Sequence, residues 1–426
     1  MDNKKKKTKR KLNKRFYLCA SVAFSLLVLG ILAFFYLSNH EKTFYKGTIL
    51  TAGVTTGSEA GETPEAWKIL ADELESEVNR EISLVMVGDM LMHLKVTQSG
   101  RMEDGTYNYD HIFEHVKEDI QAADIALVNQ EIILGGEELG FSGYPMFNTA
   151  YELGDSIADA GFDVVLHATN HTMDKGKKGL LNCLNYWKNN HPEIAVLGAN
   201  LTKEEQDEIY VYEQDGIKVA ILNFTYGLNG LPMPSDMPFA VDMMEESTMD
   251  AQLAKANEVA DFVVVCPHWG TEYQTVESTN QHMWCDYFLE RGVDLIIGTH
   301  PHVIQPVEWY EDEAGNKMLV YYSLGNFINS TADSGSGIGK RVLGAMAKVT
   351  IAKDKDGKVY ISDYGVEPLI TQIMSGPRMM TTYKLSEYTE ELARTNQMTG
   401  RDPLFSIESS KALCREVFGD LYRETE

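Results

Sequence analysis

With 426 residues, 44% of them apolar, the chain has material for one large core or two small ones and reads as globular. Of its 38 Lys and Arg and 63 Asp and Glu, nine and one fall in the first fifteen residues, leaving 29 basic against 62 acidic, a balance of −33, for the rest. A body so anionic argues against nucleic acid as a partner, because binding a phosphate backbone needs cations.

In chain order, residues 1–15 form a basic segment, and Phe16 to Leu37 is an uncharged run of 22 residues. A helix of that length crosses a hydrocarbon core of roughly 30 Å at about 1.5 Å per residue, so 16–37 is expected to be a transmembrane anchor. Basic residues cluster before it, which predicts a single-pass protein of the cell membrane with its amino terminus in the cytoplasm and its body outside. A cleaved signal peptide is the alternative; the run is long for one, and no small-x-small site follows it. Residues 38–81 read as a spacer and an amphipathic helix, with Thr63-Pro64 at the helix start and Trp67, Leu70, Leu74 and Val78 on one face.

From Ile82 onward short apolar runs alternate with amphipathic segments, the pattern of an α/β domain, placed at 82–375. Strands are expected at 83–88, 124–129, 163–168, 194–198, 217–224, 261–266, 293–298 and 318–323, and helices at 110–122, 152–160, 177–189, 247–260 and 279–291. A hairpin is expected about Asp354 to Gly357, and 376–426 reads as a mostly helical extension. Cys183, Cys266, Cys285 and Cys414 show no paired spacing and are expected to be free thiols.

Acidic, amide and imidazole side chains recur where these strands end. Asp89 closes the first, with His93 four residues on; Asn129 and Glu131 close the second; Asn170 and His171 follow the third; His268 ends a later run, and His300 and His302 follow Ile297. In Gly298-Thr299-His300-Pro301-His302, proline is expected to keep His300 extended, so that two histidines, two apart, project to one side. An isolated His-Pro-His is commonly a pair of loop histidines held by hydrogen bonds. Five strand ends bearing carboxylate, amide and imidazole without thiolate instead suit a pair of divalent ions such as Mn²⁺, Zn²⁺ or Fe, which a bridging carboxylate holds about 3.5–4 Å apart.

Further motifs are less directive. Asp174 is placed to take the second ring N–H of His171, or else to cap the helix starting near Gly176; Glu272 is placed to orient His268, or else is a loop acid. Ser334 to Arg341 is rich in glycine and ends in Lys340 and Arg341, which suits an oxyanion receptor or a flexible surface loop; it lacks the Walker spacing.

Six motifs in order, Gly88-Asp89 with His93, Asn129 to Glu131, Thr169 to Gly176, His268 to Tyr273, Gly298 to Gln305 and Tyr322 to Phe327, resemble the CapA-type capsule and poly-γ-glutamate biosynthesis proteins, a branch of the calcineurin-like metallophosphatase superfamily. The resemblance runs from about residue 82 to residue 370. It implies a four-layer α/β/β/α sandwich. It also implies two divalent metal ions, one held by Asp89, Glu131, His302 and, as a further candidate, His93, and the other by Glu131, Asn170, His268 and His300. His171, oriented by Asp174, takes the acid/base role in that pattern, and Asn129, Glu272, Asn326, Lys340 and Arg341 stand around the ligands or the substrate. The superfamily's first motif is Asp-x-His, whereas His93 stands four residues after Asp89, and its bridging aspartate is matched here by a longer glutamate. The implied role is synthesis or export of an anionic polymer, through hydrolysis or transfer at the centre and alongside membrane subunits of a polymer synthase. Two alternatives are a surface phosphoesterase acting on nucleotides or sugar phosphates and a non-catalytic scaffold that binds nascent polymer.

Overall fold

The structure, a computed structural model, describes residues 80–424. The expected basic segment, transmembrane anchor, spacer and amphipathic helix therefore lie outside the described residues, apart from Arg80 and Glu81, which open the first strand. No helix of the described residues is long and apolar enough to cross a membrane.

Two mixed sheets organise the described chain. The first runs β14-β13-β12-β1-β2-β3-β4, where β1 is Arg80–Met90, β2 Ile125–Asn129, β3 Val164–Leu166, β4 Ala195–Leu197, β12 Leu343–Lys353, β13 Val359–Gln372 and β14 Thr381–Lys384. β1 to β4 are parallel, and β12 to β14 continue the sheet antiparallel from β1. A short strand, β11 (Asn326–Ile328), lies parallel to the end of β1 and places Asn326 beside Asp89. The second sheet runs β5-β6-β7-β8-β10-β9, with β5 at Tyr210–Gln214, β6 at Ile217–Thr225, β7 at Phe262–His268, β8 at Leu295–Ile297, β9 at Val307–Glu311 and β10 at Lys317–Tyr321. Its inner strands are parallel and its two edge strands antiparallel.

The period of two in each strand decides what covers it. In β6, Ile217, Val219 and Ile221 join the core of the first sheet, whereas Ala220, Leu222 and Phe224 pack with Met249 and Leu253 of one helix (Glu246–Val259) and Phe288 of another (Thr279–Glu290). The sheets touch directly, with Cys266 Sγ 3.8 Å from Met86 Sδ. On the first sheet, the helices Glu152–Ala160 and Gly176–Asn190 connect successive parallel strands in one direction, and right-handed crossovers put both on the same face. Their Leu153, Ile157, Cys183 and Trp187 are buried there.

All eight expected strands are present, as are the helices over 152–160, 177–189, 247–260 and 279–291 and the hairpin between β12 and β13. The helix expected over 110–122 is interrupted: a 3₁₀ turn at Asp110–Ile112 precedes a helix at Lys117–Ala122. Three-residue spacing buries Phe113 and Val116 together, which the tighter turn satisfies. Segment 376–424 contributes β14 to the first sheet, and a helix at Ile407–Phe418 buries Cys414 and Phe418 on the same core. The four cysteines outside the expected anchor are free and buried.

Parallel strands leave their carboxyl ends at one edge, and in both sheets that edge carries the polar motifs. Close backbone packing brings them together. Gly88 passes so near β11 that a Cβ there would sit 1.9 Å from the Gly325 carbonyl oxygen, and the Asp89 N–H donates to that same oxygen at 2.8 Å.

Candidate metal centre

Asp89, Asn129 and Glu131 emerge from β1 and β2 with no exposed surface. Asn129 Nδ2 donates to Asp89 Oδ1 at 2.9 Å, which turns the amide oxygen away from the aspartate. From the second sheet, His268 at the end of β7 directs Nε2 to within 3.0 Å of Asn170 Oδ1 and 3.4 Å of Glu131 Oε1. His302 Nδ1 lies 3.0 Å from Asp89 Oδ2, and its Nε2 lies 3.6 Å from Glu131 Oε1. His300 packs at a ring separation of 4.8 Å from His268 and 5.6 Å from His302.

Ligand atoms converge in three groups among the described residues: Glu131, His268 and His300; Asp89, Glu131 and His302; and Glu272, His300 and His302. Glu131 is common to the first two. Both its carboxylate oxygens, with Asn129 Oδ1 and His300 Nδ1, are buried and lack any hydrogen-bond partner in the protein. A buried carboxylate with no donor is costly, and a cation beside it removes that cost. Carboxylate, amide and imidazole donors without thiolate also fit Mn²⁺, Zn²⁺ or Fe. The residues present therefore fit metal.

Charge follows the same geometry. Burial, followed by the charge of Asp89, pushes the Glu131 carboxyl well above the usual range. Burial alone would raise Asp89 as well, yet the hydrogen bond and charge of His302 and the His300 amide pull it below its ordinary value. Burial lowers His268 to about 3 and carries His300 well below the imidazole range, so both stand neutral, the form in which imidazole binds a cation.

The two loop histidines meet by a route other than the extended one expected. His300 has φ 98° and His302 φ 57°, both in the left-handed half of the backbone map. The His300 N–H thereby turns back to the Asp89 carboxylate, 3.3 Å from each oxygen. Such backbone is costly for residues bearing Cβ and persists where surrounding contacts impose it. Asn326 supplies one, donating from Nδ2 to the His302 carbonyl at 3.0 Å.

The surrounding residues divide clearly. His171 Nδ1 is 2.8 Å from Asp174 Oδ2, and the ring meets Phe147 edge-on at 4.8 Å. Asp174 does not cap the following helix, whose N-cap is Lys175 with no side-chain bond, so of its two readings the histidine partner holds. Glu272 does not orient His268. Thr299 does, with Oγ1 3.0 Å from His268 Nδ1, while the exposed Glu272 stands with His300 and His302. His93 joins none of the three groups: its Nδ1 accepts the Ser330 N–H at 3.2 Å, its ring packs on Phe147 at 5.2 Å, and burial lowers it to about 4. Lys340 donates to the Tyr273 carbonyl at 2.5 Å, and Arg341 lies 3.6 Å over the Tyr273 ring and pairs with Asp333 at 2.7 Å. Both cations thus tie the glycine-rich loop to the segment bearing Glu272.

Sequence reasoning missed Thr299, Tyr226 and Asn229. Thr299 bridges to His268 across the sheet, Tyr226 packs 4.6 Å from His300, and Asn229 Oδ1 accepts from Asn170 Nδ2 at 3.3 Å. A hydroxyl between a strand end and His300 was a signal for Thr299. Nothing local marks the other two, which arrive on the loop after β6.

The fold and this set of strand-end ligands define a recognised class: the chain belongs to the family described as bacterial capsule synthesis protein PGA_cap, whose model matches residues 83–331. It is similar to the capsule biosynthesis protein CapA of Bacillus anthracis, 28% identical over 259 residues, which is 59% of this chain and 60% of that protein. The PGA biosynthesis protein CapA of Bacillus subtilis is 27% identical over 274 residues, 63% of this chain and 66% of that protein. The match thus spans less than two thirds of either relative's length. Among solved structures, the chain is similar to a putative 5'-nucleotidase from Staphylococcus aureus (16% identity, TM-score 0.43, 67% of this chain and 54% of that one). It is also similar to the calcineurin-like phosphoesterase YfkN from Bacillus subtilis (14% identity, TM-score 0.40, 78% and 99%). Those likenesses are loose and say nothing of what this chain binds.

Proposed function

We propose that this chain is a membrane-anchored, outward-facing capsule synthesis protein with a metallophosphatase-type, four-layer body, acting in the synthesis or export of an anionic polymer of the poly-γ-glutamate class. The observation that carries the catalytic part is Glu131, buried, with no hydrogen-bond donor at either oxygen and common to two ligand groups. In this reading Asp89, Glu131 and His302 hold one divalent ion, and Glu131, Asn170, His268 and His300 hold the other. Ions so held would supply Lewis acidity toward a phosphoryl or acyl oxygen.

The protein's own part is orientation and proton delivery. His171 is fixed through Nδ1 by Asp174 and by the Phe147 ring, which leaves Nε2 to hold a proton for a leaving oxygen. Asn129 and Thr299 set Asp89 and His268 at their angles. The acidic body would repel an anionic polymer at long range, but screening over about 8–10 Å confines that repulsion, and cations at the centre reverse the field where the chain would enter. The uncharged run 16–37 supports the anchor and keeps the body at the surface where such a polymer emerges.

The test joins metal content to phenotype. The full chain, stripped with chelator and reloaded with Mn²⁺, is expected to hold close to two equivalents, and a strain carrying His171→Ala or Asp89→Asn is expected to lose its capsule polymer. Normal polymer in both strains would overturn the catalytic reading in favour of a scaffold. Phosphate release from nucleotides by the wild-type chain, abolished in both variants while polymer persists, would move the function to a phosphoesterase.

A further inference from the structure

The third group, Glu272 with His300 and His302, has no place in that assignment, and its carboxylate is exposed while its two imidazoles are buried. A solvated loop acid would account for exposure, but not for how firmly the backbone of its segment is held. The residues flanking it have left-handed backbone, with φ 91° at Gly270 and 64° at Tyr273. The segment is then bound to the histidine loop at both ends: the Trp269 N–H donates to the Thr299 carbonyl at 3.0 Å and the Tyr273 N–H to the Pro301 carbonyl at 2.7 Å. From the other side Lys340 holds the Tyr273 carbonyl at 2.5 Å, and the Arg341 guanidinium covers its ring. Non-glycine residues in this conformation persist where the surroundings impose it, and here the imposed turn sets a carboxylate beside two imidazoles.

A second observation points to a ligand. His300 Nδ1 is buried with no partner in the protein, and His300 is the imidazole shared by the Glu131–His268 group and the Glu272 group. Likewise His302 is shared between the Asp89–Glu131 group and the Glu272 group. Glu272 therefore reaches the nitrogen donors of both ion positions, from the solvent side, as Glu131 does from the interior.

We propose that Glu272 is a further metal ligand, an outer carboxylate that spans the positions served by His300 and His302 and closes the open face of the centre. This rests on the two-ion reading above. Being exposed, Glu272 is the ligand an incoming phosphate or carboxylate group would displace, whereas Asp89 and Glu131 are sealed in the core. An additional hard oxygen donor also biases the centre toward ions that favour oxygen, such as Mn²⁺, over those that favour softer ligands.

The experiment uses the full chain in detergent, stripped with chelator and titrated with Mn²⁺ alone, free Mn²⁺ being read by its paramagnetic resonance signal. Glu272→Gln, isosteric and at an exposed position, is expected to weaken at least one binding step by ~10-fold or more, on the scale of losses seen when groups supporting a metal site are removed. That loss is expected to persist in about 1 M salt, where screening acts within about 3 Å and a through-space charge effect would disappear. Glu272→Asp, which keeps the carboxylate, is expected to recover part of it. A Glu272→Gln titration like wild type, or a loss that vanishes at high salt, would overturn the proposal and leave the two-ion centre standing. A wild-type chain that takes up neither Mn²⁺ nor Zn²⁺ would overturn the centre and this ligand together.

Discussion

The two sheets bring different chemistry to the place where they meet: the ends of β1, β2 and β3 carry Asp89, Glu131 and Asn170, whereas β7 and β8 lead into His268, His300 and His302. In the two groups that share Glu131, oxygen comes from one sheet and nitrogen from the other. Neither of these groups is complete within one sheet, since Glu131 needs His268 and His300, and the Asp89–Glu131 pair needs His302. Metal uptake in this architecture therefore reports that the sheets have packed, and an ion held there ties the sheets together. Histidines of the first sheet serve differently. His167 is fully buried with Nδ1 3.2 Å from the Gln130 carbonyl, and His111, buried in the 3₁₀ turn Asp110–Ile112, has Nε2 3.1 Å from Ser99 Oγ.

The largest effect should come from the residue on which both groups depend. Glu131→Gln is expected to weaken metal binding by at least ~100-fold, while making the metal-free protein more stable at neutral pH, because folding no longer has to bury or neutralise a carboxylate. Thermal unfolding with and without Mn²⁺ reads both, and the two curves should change order between wild type and variant. Retention of two ions by the variant would break the comparison, because the oxygen side would then not be needed.

Acid should act next, through imidazoles that hold no metal. Burial lowers His111 and His167 to about 4 in the folded protein, against an ordinary 6.5 when unfolded. Between those values the unfolded chain binds more protons, so stability is fully present above pH 6.5 and is lost as pH falls toward 4. The slope is about 1.4 kcal/mol per pH unit for each histidine. Denaturant unfolding of the metal-loaded protein across that window checks it. His167→Gln should remove one histidine's share of the slope, and an unchanged slope would count against a neutral buried His167.

The smallest effect sharpens the nitrogen side. Thr299→Val keeps the shape but removes the hydroxyl at His268 Nδ1, and metal affinity is expected to fall by about 10-fold with the fold intact. Unchanged affinity would assign the orientation of His268 to Asn129, whose Nδ2 is 3.5 Å from the same nitrogen.

Part of the centre was open to reading because it is local. Alternation of apolar and polar side chains located the parallel strands, and chemistry gathers at their carboxyl ends, so Asp89, Glu131, Asn170, His268, His300 and His302 could be picked out one strand at a time. β11 escaped because Asn326 to Ile328, unlike the equally short β3, β4 and β8, is not embedded in a longer apolar run, yet it sets Asn326 beside Asp89 and holds the His302 carbonyl. Asp174 had two local readings of equal merit, and the Phe147 loop settled them by donating its N–H to the carboxylate that His171 also uses.

What the amino-acid order determined by itself was the kind of donor at each strand end, along with the alternation that made those ends strands. The pairing of donors about two ions was implied by the resemblance alone, and which acid meets which histidine came only with the tertiary structure. Glu272 lies four residues from His268 yet stands with His300 and His302, and the loop expected to be extended at His300 is left-handed instead. The physical reason is range: periodicity and turn preference act over a few residues, whereas a ligand group is closed by segments far apart in the chain. A backbone conformation costly in isolation survives there because contacts from distant segments hold it.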